Sequence, residues 1–243
     1  MTFNLSLMKA TFLQQGYAKQ EQLIDSAEID KLSKLYDQLL KDTQKTKHLR
    51  SDLSGLGEKK KEKITQIMRP SSVLKTLLKS KAYLNALAQA KYLLGDDMEM
   101  DFDMLINKMP NTGTQTPLHQ DAAYWINLPD KRAVSCWIAI DKAEEANGCM
   151  WFIPRKNQAI LPHQPSVVGG ALQCSASIKN AECIPLTPGD CTYHDGFTLH
   201  FSKGNITNNH RRALILNFRP IKMIELEREQ GIDHTGERKV RNK

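Results

Sequence analysis

The chain has 243 residues, of which 40% are apolar and 25% charged, and its formal net charge is +7. This composition is typical of a globular protein with a substantial core, and we expect one domain over residues 1–243. No apolar run approaches the ~18 residues that a membrane-spanning helix needs, which argues against a membrane protein.

The first sixteen residues lack the charged start and apolar core of a secretory signal. The five cysteines are odd in number and include no Cys-x-x-Cys pair, which indicates neither a disulfide framework nor a zinc knuckle. Both features predict a cytoplasmic protein. The lysines of residues 58–63 and the basic C-terminal tail are typical of solvated charge runs, and no nucleic-acid-binding motif accompanies them. We therefore expect no nucleic-acid partner.

The N-terminal part of the chain, about residues 1–95, is predicted to be helical. Apolar residues at helical spacing predict helices over residues 28–40 and 71–94, with Ser26 as an N-cap and Gly95 as a stop. A polar loop at residues 51–63 separates the two helices.

The pattern then changes to short β-type runs separated by Gly, Pro and Asn. These runs predict strands over residues 100–106, 117–125, 133–140, 148–153, 182–186, 190–194, 198–202 and 212–218. Such spacing favours an all-β sandwich or barrel over about residues 96–220, followed by a polar, basic tail at 221–243.

His119 and Asp121 stand two residues apart in one predicted strand, where side chains at i and i+2 share a face. A histidine from another strand would complete a 2-His-1-carboxylate triad, which leaves three Fe(II) positions open for a co-substrate and O2. His200 is the candidate, and His194 is its rival because an even offset places both on one face. A surface strand whose His and Asp face water is the alternative interpretation.

A loop at residues 203–209 returns the chain to Arg211 and Arg212, beside the strand of His200. A buried guanidinium there would hold a carboxylate with two hydrogen bonds. The alternative is that both arginines are surface charges at the start of a strand.

An ordered set of motifs runs from roughly residue 12 to residue 220. It consists of residues 105–108, Pro117-Leu118-His119-Gln120-Asp121 with Tyr124-Trp125, residues 137–141, 147–154 and 188–190, His200 with Ser202 and Asn205, and residues 211–214. In this set the chain resembles the phytanoyl-CoA dioxygenase family of Fe(II)/2-oxoglutarate oxygenases. The resemblance implies a double-stranded β-helix (a jelly-roll, cupin-like core) flanked by N-terminal helices.

The resemblance also implies a role for each matching residue. The matches are the iron ligands His119, Asp121 and His200, the carboxylate-binding Arg211 and Ser202, the aromatic Trp137, and the pocket residues Met104 and Asn107. A family lysine that contacts the co-substrate has no clear counterpart, and Gln66 is the nearest candidate.

The implied activity uses Fe(II), 2-oxoglutarate and O2 to hydroxylate an unactivated carbon of a small-molecule substrate, with release of succinate and CO2. Halogenating relatives replace the iron-binding carboxylate with a small residue, so the presence of Asp121 favours hydroxylation. A cupin-type metal enzyme that does not use 2-oxoglutarate and a non-catalytic β-sandwich binding module are the alternatives. Residues 51–63 and 162–180 are predicted to border the pocket mouth and to be mobile without substrate.

Overall fold

The computed structural model describes residues 2–55, 62–167 and 170–234, with side chains from residue 5 onward. The strands are β1 (Tyr17–Gln20), β2 (Arg50–Asp52), β3 (Ile64–Met68), β4 (Met98–Lys108), β5 (Thr116–His119), β6 (Val134–Ala139), β7 (Met150–Ile153), β8 (Gln164–Pro165), β9 (Leu172–Gln173), β10 (Glu182–Ile184), β11 (Cys191–Asp195), β12 (Leu199–Ser202) and β13 (Arg211–Pro220). The helices are α1 (Thr2–Gln15), α2 (Ser26–Lys41), α3 (Thr43–Thr46), α4 (Pro70–Val73), α5 (Lys81–Leu94) and α6 (Ile221–Glu229).

Two antiparallel sheets face each other. The larger sheet has the order β1-β11-β6-β13-β4-β3-β2, the smaller sheet has the order β10-β7-β12-β5, and β8 and β9 form a separate hairpin. Strands that are distant in the sequence therefore lie side by side, as in a jelly roll. The predicted fold class, a double-stranded β-helix with flanking helices, is confirmed.

The two faces of the larger sheet belong to different cores because side chains alternate along each strand. On β13, Ala213 and Ile215 point between the sheets. Leu214 and Leu216 point outward, where they pack with residues of α2 and α5. One sheet thus supports a helix-covered core on one side and an inter-sheet core on the other.

The helices differ from the prediction in detail. Helix α2 is capped by Asp25 instead of Ser26, since the Asp25 carboxylate accepts a hydrogen bond of 2.9 Å from the Glu28 amide. Helix α5 stops at Gly95, whose φ of +124° favours glycine, as predicted. The predicted helix over residues 71–94 is interrupted, because Leu74 has non-helical backbone angles between α4 and the 3-10 helix Lys75–Lys79.

The predicted helical part also contains three strands that the pattern did not reveal. Every residue of β3 is buried, so the strand shows no polar alternation in the sequence. Strand β1 joins the edge of the larger sheet by pairing with β11. Residues 56–61 of the predicted polar loop lie outside the described residues.

Part of the predicted polar tail, residues 221–229, forms the helix α6. Met223 and Ile224 of this helix are buried, and Glu227 is ion-paired in the interior. Residues 235–243 lie outside the described residues. Among the described residues, no helix combines the length and apolar composition needed to cross a bilayer.

Candidate metal centre

Two histidines face each other on the smaller sheet. His119 ends β5, and His200 lies directly opposite it on β12. Residues opposite each other on antiparallel strands point to the same side, and the two ring centroids are 4.2 Å apart. Both side chains are buried and point between the sheets.

The hydrogen bonds of the two rings determine their tautomers. The His119 Nδ1 lies 2.8 Å from the Pro117 carbonyl, and the His200 Nδ1 lies 2.9 Å from the Thr198 carbonyl. A carbonyl only accepts, so each Nδ1 donates its proton and each Nε2 keeps a free lone pair. This is the tautomer that a histidine needs to bind a metal through Nε2.

Asp121 supplies the carboxylate, but it lies in a helical turn and not on a strand as predicted. It is the first residue of a 3-10 helix, Asp121–Tyr124, because β5 ends at His119. Its Oδ1 lies 3.6 Å from His119 Nε2 and 3.7 Å from His200 Nε2, beyond hydrogen-bond distance. The three ligand atoms lie within 4.8 Å of one another, so they can hold a metal ion together.

The protonation states suit such a cluster. Burial and the charges of neighbouring His119 and His194 hold the pKa of His200 well below its ordinary value, which keeps this ring neutral. Burial alone would raise the pKa of Asp121, but the adjacent His119 and His194 rings lower it well below its ordinary value. Metal binding requires a neutral imidazole and an ionised carboxylate.

A cavity of ≈ 70 Å³ opens beside the cluster. A buried water needs about 10–15 Å³ on this measure, so the cavity has room for a small ligand. It is lined by Leu53, Gln66, Met104, Ile106, Thr116, His119, Asp121, Tyr124, Trp137, Met150, Ala171, His194, His200, Phe201, Ser202, Arg211 and Ile215. About half of these side chains are apolar, and the polar ones converge from both sheets.

Arg211 is a buried cation in this wall. It is 1% exposed, and its guanidinium lies over the Trp137 ring at 5.1 Å. Its Nε and Nη1 have no hydrogen-bond partner among the described residues. Burial lowers the pKa of Arg211 to about 10, so the side chain remains charged at neutral pH.

The neighbouring Arg212 points the opposite way. Its guanidinium makes ion pairs of 2.7 Å with Asp37 and with Asp141 on the outer side of the sheet. The two arginines are adjacent on β13, so strand alternation places one inside and one outside. The alternative in which both are surface charges is therefore excluded.

The other predicted pocket residues divide between the two faces. Ser202, Trp137 and Met104 line the cavity. Asn107 does not, because it stands three residues after Met104 on β4 and so points to the opposite face. There its side chain contacts His210 and Met109.

The family model for phytanoyl-CoA dioxygenase matches residues 12–213, which cover most of the chain and contain every residue of the cluster. The chain belongs to the phytanoyl-CoA dioxygenase family. A probable phytanoyl-CoA dioxygenase of Caenorhabditis elegans is 30% identical over 126 residues, which make up 47% of this chain and 40% of the worm protein. The match thus spans about two fifths of that relative's length.

Solved structures are also similar to this chain. EvdO2 from Micromonospora carbonacea var. aurantiaca is 27% identical, with a TM-score of 0.73 and coverage of 87% of this chain and 89% of that protein. The structure of EvdO2 complexed with 2-oxoglutarate has a TM-score of 0.72 at 24% identity, with the same coverage.

His194, the predicted rival of His200, contacts the other oxygen of Asp121. Its Nε2 lies 3.2 Å from Asp121 Oδ2, the carboxylate oxygen that is turned away from the other two histidines. It contacts the cluster from the larger sheet, whereas His119 and His200 come from the smaller sheet. The ligand atoms of His119, Asp121 and His200 lie close enough together to hold an ion, and this group does not include His194. The assignment of His200 as the metal ligand stays a prediction.

Several cavity residues were not identified from the sequence. Ile215 stands four residues after Arg211 on one strand, so alternation alone could have placed both on the same face. Gln66, named only as the nearest substitute for the family lysine, lines the cavity and donates to the Met104 sulfur at 3.3 Å. Met150 gave no signal, since its strand is short and apolar.

Two segments close over the cavity. Leu53 and Ala171 both lie in its wall, and the Ala171 amide donates to the Leu53 carbonyl at 3.4 Å. The Tyr124 hydroxyl accepts a 2.7 Å hydrogen bond from the Leu172 amide, which ties the β8–β9 hairpin to the segment that follows Asp121. These contacts place parts of residues 51–63 and 162–180 at the cavity, and their mobility stays a prediction.

Proposed function

We propose that this protein is an Fe(II)- and 2-oxoglutarate-dependent oxygenase that hydroxylates an unactivated carbon of a small-molecule substrate. His119, Asp121 and His200 would bind the iron, and Arg211 with Ser202 would bind the 5-carboxylate of 2-oxoglutarate. The observation that carries the proposal is Arg211, a buried guanidinium with unpartnered donors in the cavity that also contains the three-residue cluster.

An anionic ligand would offset the free-energy cost of burying the Arg211 charge. An ion removed from water without a partner is costly to the folded state. The described part of the chain offers this guanidinium no carboxylate, and the cavity offers space beside it. A dicarboxylate co-substrate supplies the missing charge and accepts the two unused donors.

The cluster fits iron. Two imidazole nitrogens and one carboxylate oxygen on one side of an ion form the facial triad of non-heme Fe(II) oxygenases, which leaves positions open. When bound, iron supplies the activation of O2 that couples oxidative decarboxylation of 2-oxoglutarate, to succinate and CO2, with oxidation of the substrate.

The chain's own residues do the positioning. The Trp137 ring contacts the Arg211 guanidinium from one side, and the apolar Met104, Ile106 and Ile215 line the same cavity, where they would exclude water. The Tyr124 hydroxyl keeps the β8–β9 hairpin close to the cavity. Exclusion of water strengthens the interaction of the buried cation with an anion.

The similar proteins support this assignment. EvdO2, which shares the fold, forms a complex with 2-oxoglutarate. Arg211 argues against a cupin-type enzyme without this co-substrate, and the lone-pair geometry of the histidines argues against a vestigial binding module. A reducing compartment such as the cytoplasm fits the free cysteines of the chain.

The test is an anaerobic titration of 2-oxoglutarate into Fe(II)-loaded protein. We expect Arg211→Met to weaken 2-oxoglutarate binding roughly 100-fold (about 3 kcal/mol), because a hydrogen-bonded charge pair is lost. Arg212→Met is the matched control, and its co-substrate affinity should equal that of the wild type. Wild-type protein should release succinate only with iron and substrate present.

Two results would contradict the proposal. Unchanged affinity in Arg211→Met would show that this arginine does not bind the co-substrate. Wild-type protein that binds iron but shows no affinity for 2-oxoglutarate would refute the enzyme class.

A further inference from the structure

A row of three polar residues crosses the larger sheet beneath Asp121. His194 on β11 lies opposite Ser135 on β6, and Ser135 lies opposite Asn217 on β13. The three side chains are 2%, 1% and 4% exposed, so they are removed from water and need partners within the protein. We call these residues the carboxylate row.

The carboxylate row contacts only one oxygen of Asp121. Ser135 Oγ donates to Oδ2 at 3.0 Å, and His194 Nε2 lies 3.2 Å from the same oxygen. The other oxygen, Oδ1, faces His119 and His200. The row therefore makes the two carboxylate oxygens chemically different before any metal binds.

The positions of the protons in the carboxylate row indicate that its hydrogen bonds are donated to Asp121. A carboxylate only accepts, so His194 Nε2 carries the proton of that hydrogen bond. The Ser135 hydroxyl has a single proton but lies near two acceptors, Asp121 Oδ2 and Asn217 Oδ1, the latter at 2.7 Å. The Asn217 Nδ2 has no hydrogen-bond partner among the described residues.

Turning the Asn217 amide end for end resolves this conflict. The amide N–H then donates to Ser135, and the Ser135 hydroxyl donates to Asp121 Oδ2. The resulting relay runs from β13 through β6 to the carboxylate, and His194 adds a second donor from β11. Two donors on Oδ2 leave Oδ1 as the oxygen with a free lone pair toward the cluster.

We propose that the carboxylate row, His194, Ser135 and Asn217, keeps Asp121 a one-oxygen ligand by holding its second oxygen away from the metal. This inference rests on the proposed function. If Asp121 bound through both oxygens, it would occupy one of the positions that 2-oxoglutarate and O2 require. The three row residues are positioning residues, and they act on the metal only through Asp121.

The test uses Mn(II) in place of iron, which removes catalysis from the measurement. Affinity is measured by anaerobic titration, and the number of metal-bound waters by the broadening of the Mn(II) EPR signal in ¹⁷O-water. Ser135→Ala and His194→Leu should each weaken Mn(II) binding about 10-fold, and the double variant up to about 100-fold. The double variant should also have fewer metal-bound waters, because the freed Oδ2 displaces one.

Two further variants separate positioning from folding. Thr192→Val is the matched control, since Thr192 is a buried residue of β11 whose hydroxyl has no partner among the described residues. It should keep wild-type affinity and water count. Ser135→Thr retains the hydroxyl and should restore most of the affinity that Ser135→Ala loses.

Specific results would overturn the inference. It is wrong if Ser135→Ala and His194→Leu bind Mn(II) within twofold of Thr192→Val and keep its water count. It is also wrong if Ser135→Thr binds as weakly as Ser135→Ala. Should the double variant fail to fold, the single variants decide, because each leaves the other donor in place. Wild-type protein that binds no Mn(II) would instead refute the metal centre of the proposed function.

Discussion

Histidine and carboxylate side chains converge at two places in the described structure, and the two clusters have opposite characters. One is His119, Asp121 and His200, and the other is Asp101, Glu227 and His234. In the second cluster, Arg219 lies 3.3 Å from Asp101 and 3.2 Å from Glu227. Arg228 also pairs with Asp101, and His234 lies 2.9 Å from Glu227.

The difference between the clusters is the source of positive charge. The protein supplies two guanidinium groups to Asp101 and Glu227, so these carboxylates are already neutralised and would repel a second cation. Asp121 receives only hydrogen bonds from neighbouring side chains, and no Arg or Lys ion pair reaches it among the described residues. The same residue types therefore connect α6 to the sheet at one place and form a group that could hold an ion at the other.

Substitutions in the two clusters should differ most in their effect on metal affinity. His200→Ala should weaken Fe(II) binding by more than the roughly 100-fold that outer contacts of a metal site can contribute, because it removes a ligand. His234→Ala should leave the Fe(II) affinity unchanged. Anaerobic Fe(II) titration of both variants measures this difference, and equal losses would show that the two clusters are not distinct.

The second effect is on stability. Arg219→Met should lower the free energy of unfolding by about 3–5 kcal/mol, because it removes one of the two guanidinium groups that neutralise the buried Asp101 and Glu227. Urea unfolding of the metal-free protein measures the change, and Fe(II) affinity should not follow it. Arg132→Met is the control, since Arg132 pairs with Asp97 and Asp130 near the surface and should contribute at most about 1 kcal/mol. Similar losses in both variants would contradict a special role for the buried cluster.

The smallest expected effect is on the stability of the protein at low pH. Burial would raise the pKa of Asp101, but His234, Arg219 and Arg228 hold it well below its ordinary value, with Glu227 as the other charge in the cluster. A carboxyl whose pKa is lower in the folded state stabilises the protein above its unfolded pKa of about 3.9, and this contribution is lost as pH falls further. The free energy of unfolding should therefore fall below about pH 4. The fall should be shallower in Asp101→Asn, by up to about 1.4 kcal/mol per pH unit, and parallel pH profiles would contradict this.

Much of the fold could be predicted because the jelly-roll strands carry local signals. The strand over residues 212–218 was predicted within two residues of β13 at either end, since its apolar residues are bounded by a loop and a proline. Strand β3 could not be predicted, because it is buried on both faces and its five residues show no period. Helix α6 was missed because charged residues dominate it, and the partners that bury Glu227 are distant in the sequence.

The residues of the candidate site could likewise be predicted only in part. His119, Asp121 and His200 could be named because their spacing matches a known family, and the structure brings them together. Asp121 was expected on a strand, yet the same spacing is produced by a strand end followed by a 3-10 turn. Asn107 was misplaced because family spacing overrode the alternation that separates it from Met104. The carboxylate row could not be predicted from the sequence, because it depends on the register between three strands.

The register of β13 has one further consequence. Arg211 and Asn217 share its inner face, roughly 20 Å apart at about 3.3 Å per residue, with the core residues Ala213 and Ile215 between them. The strand thus fixes the distance between the proposed anion-binding Arg211 at one end and Asn217, the proposed support of Asp121, at the other. A register shift of one residue would turn Arg212 inward and bring an apolar neighbour to the place of Asn217. The contacts of Arg211 and Asn217 would then be lost together.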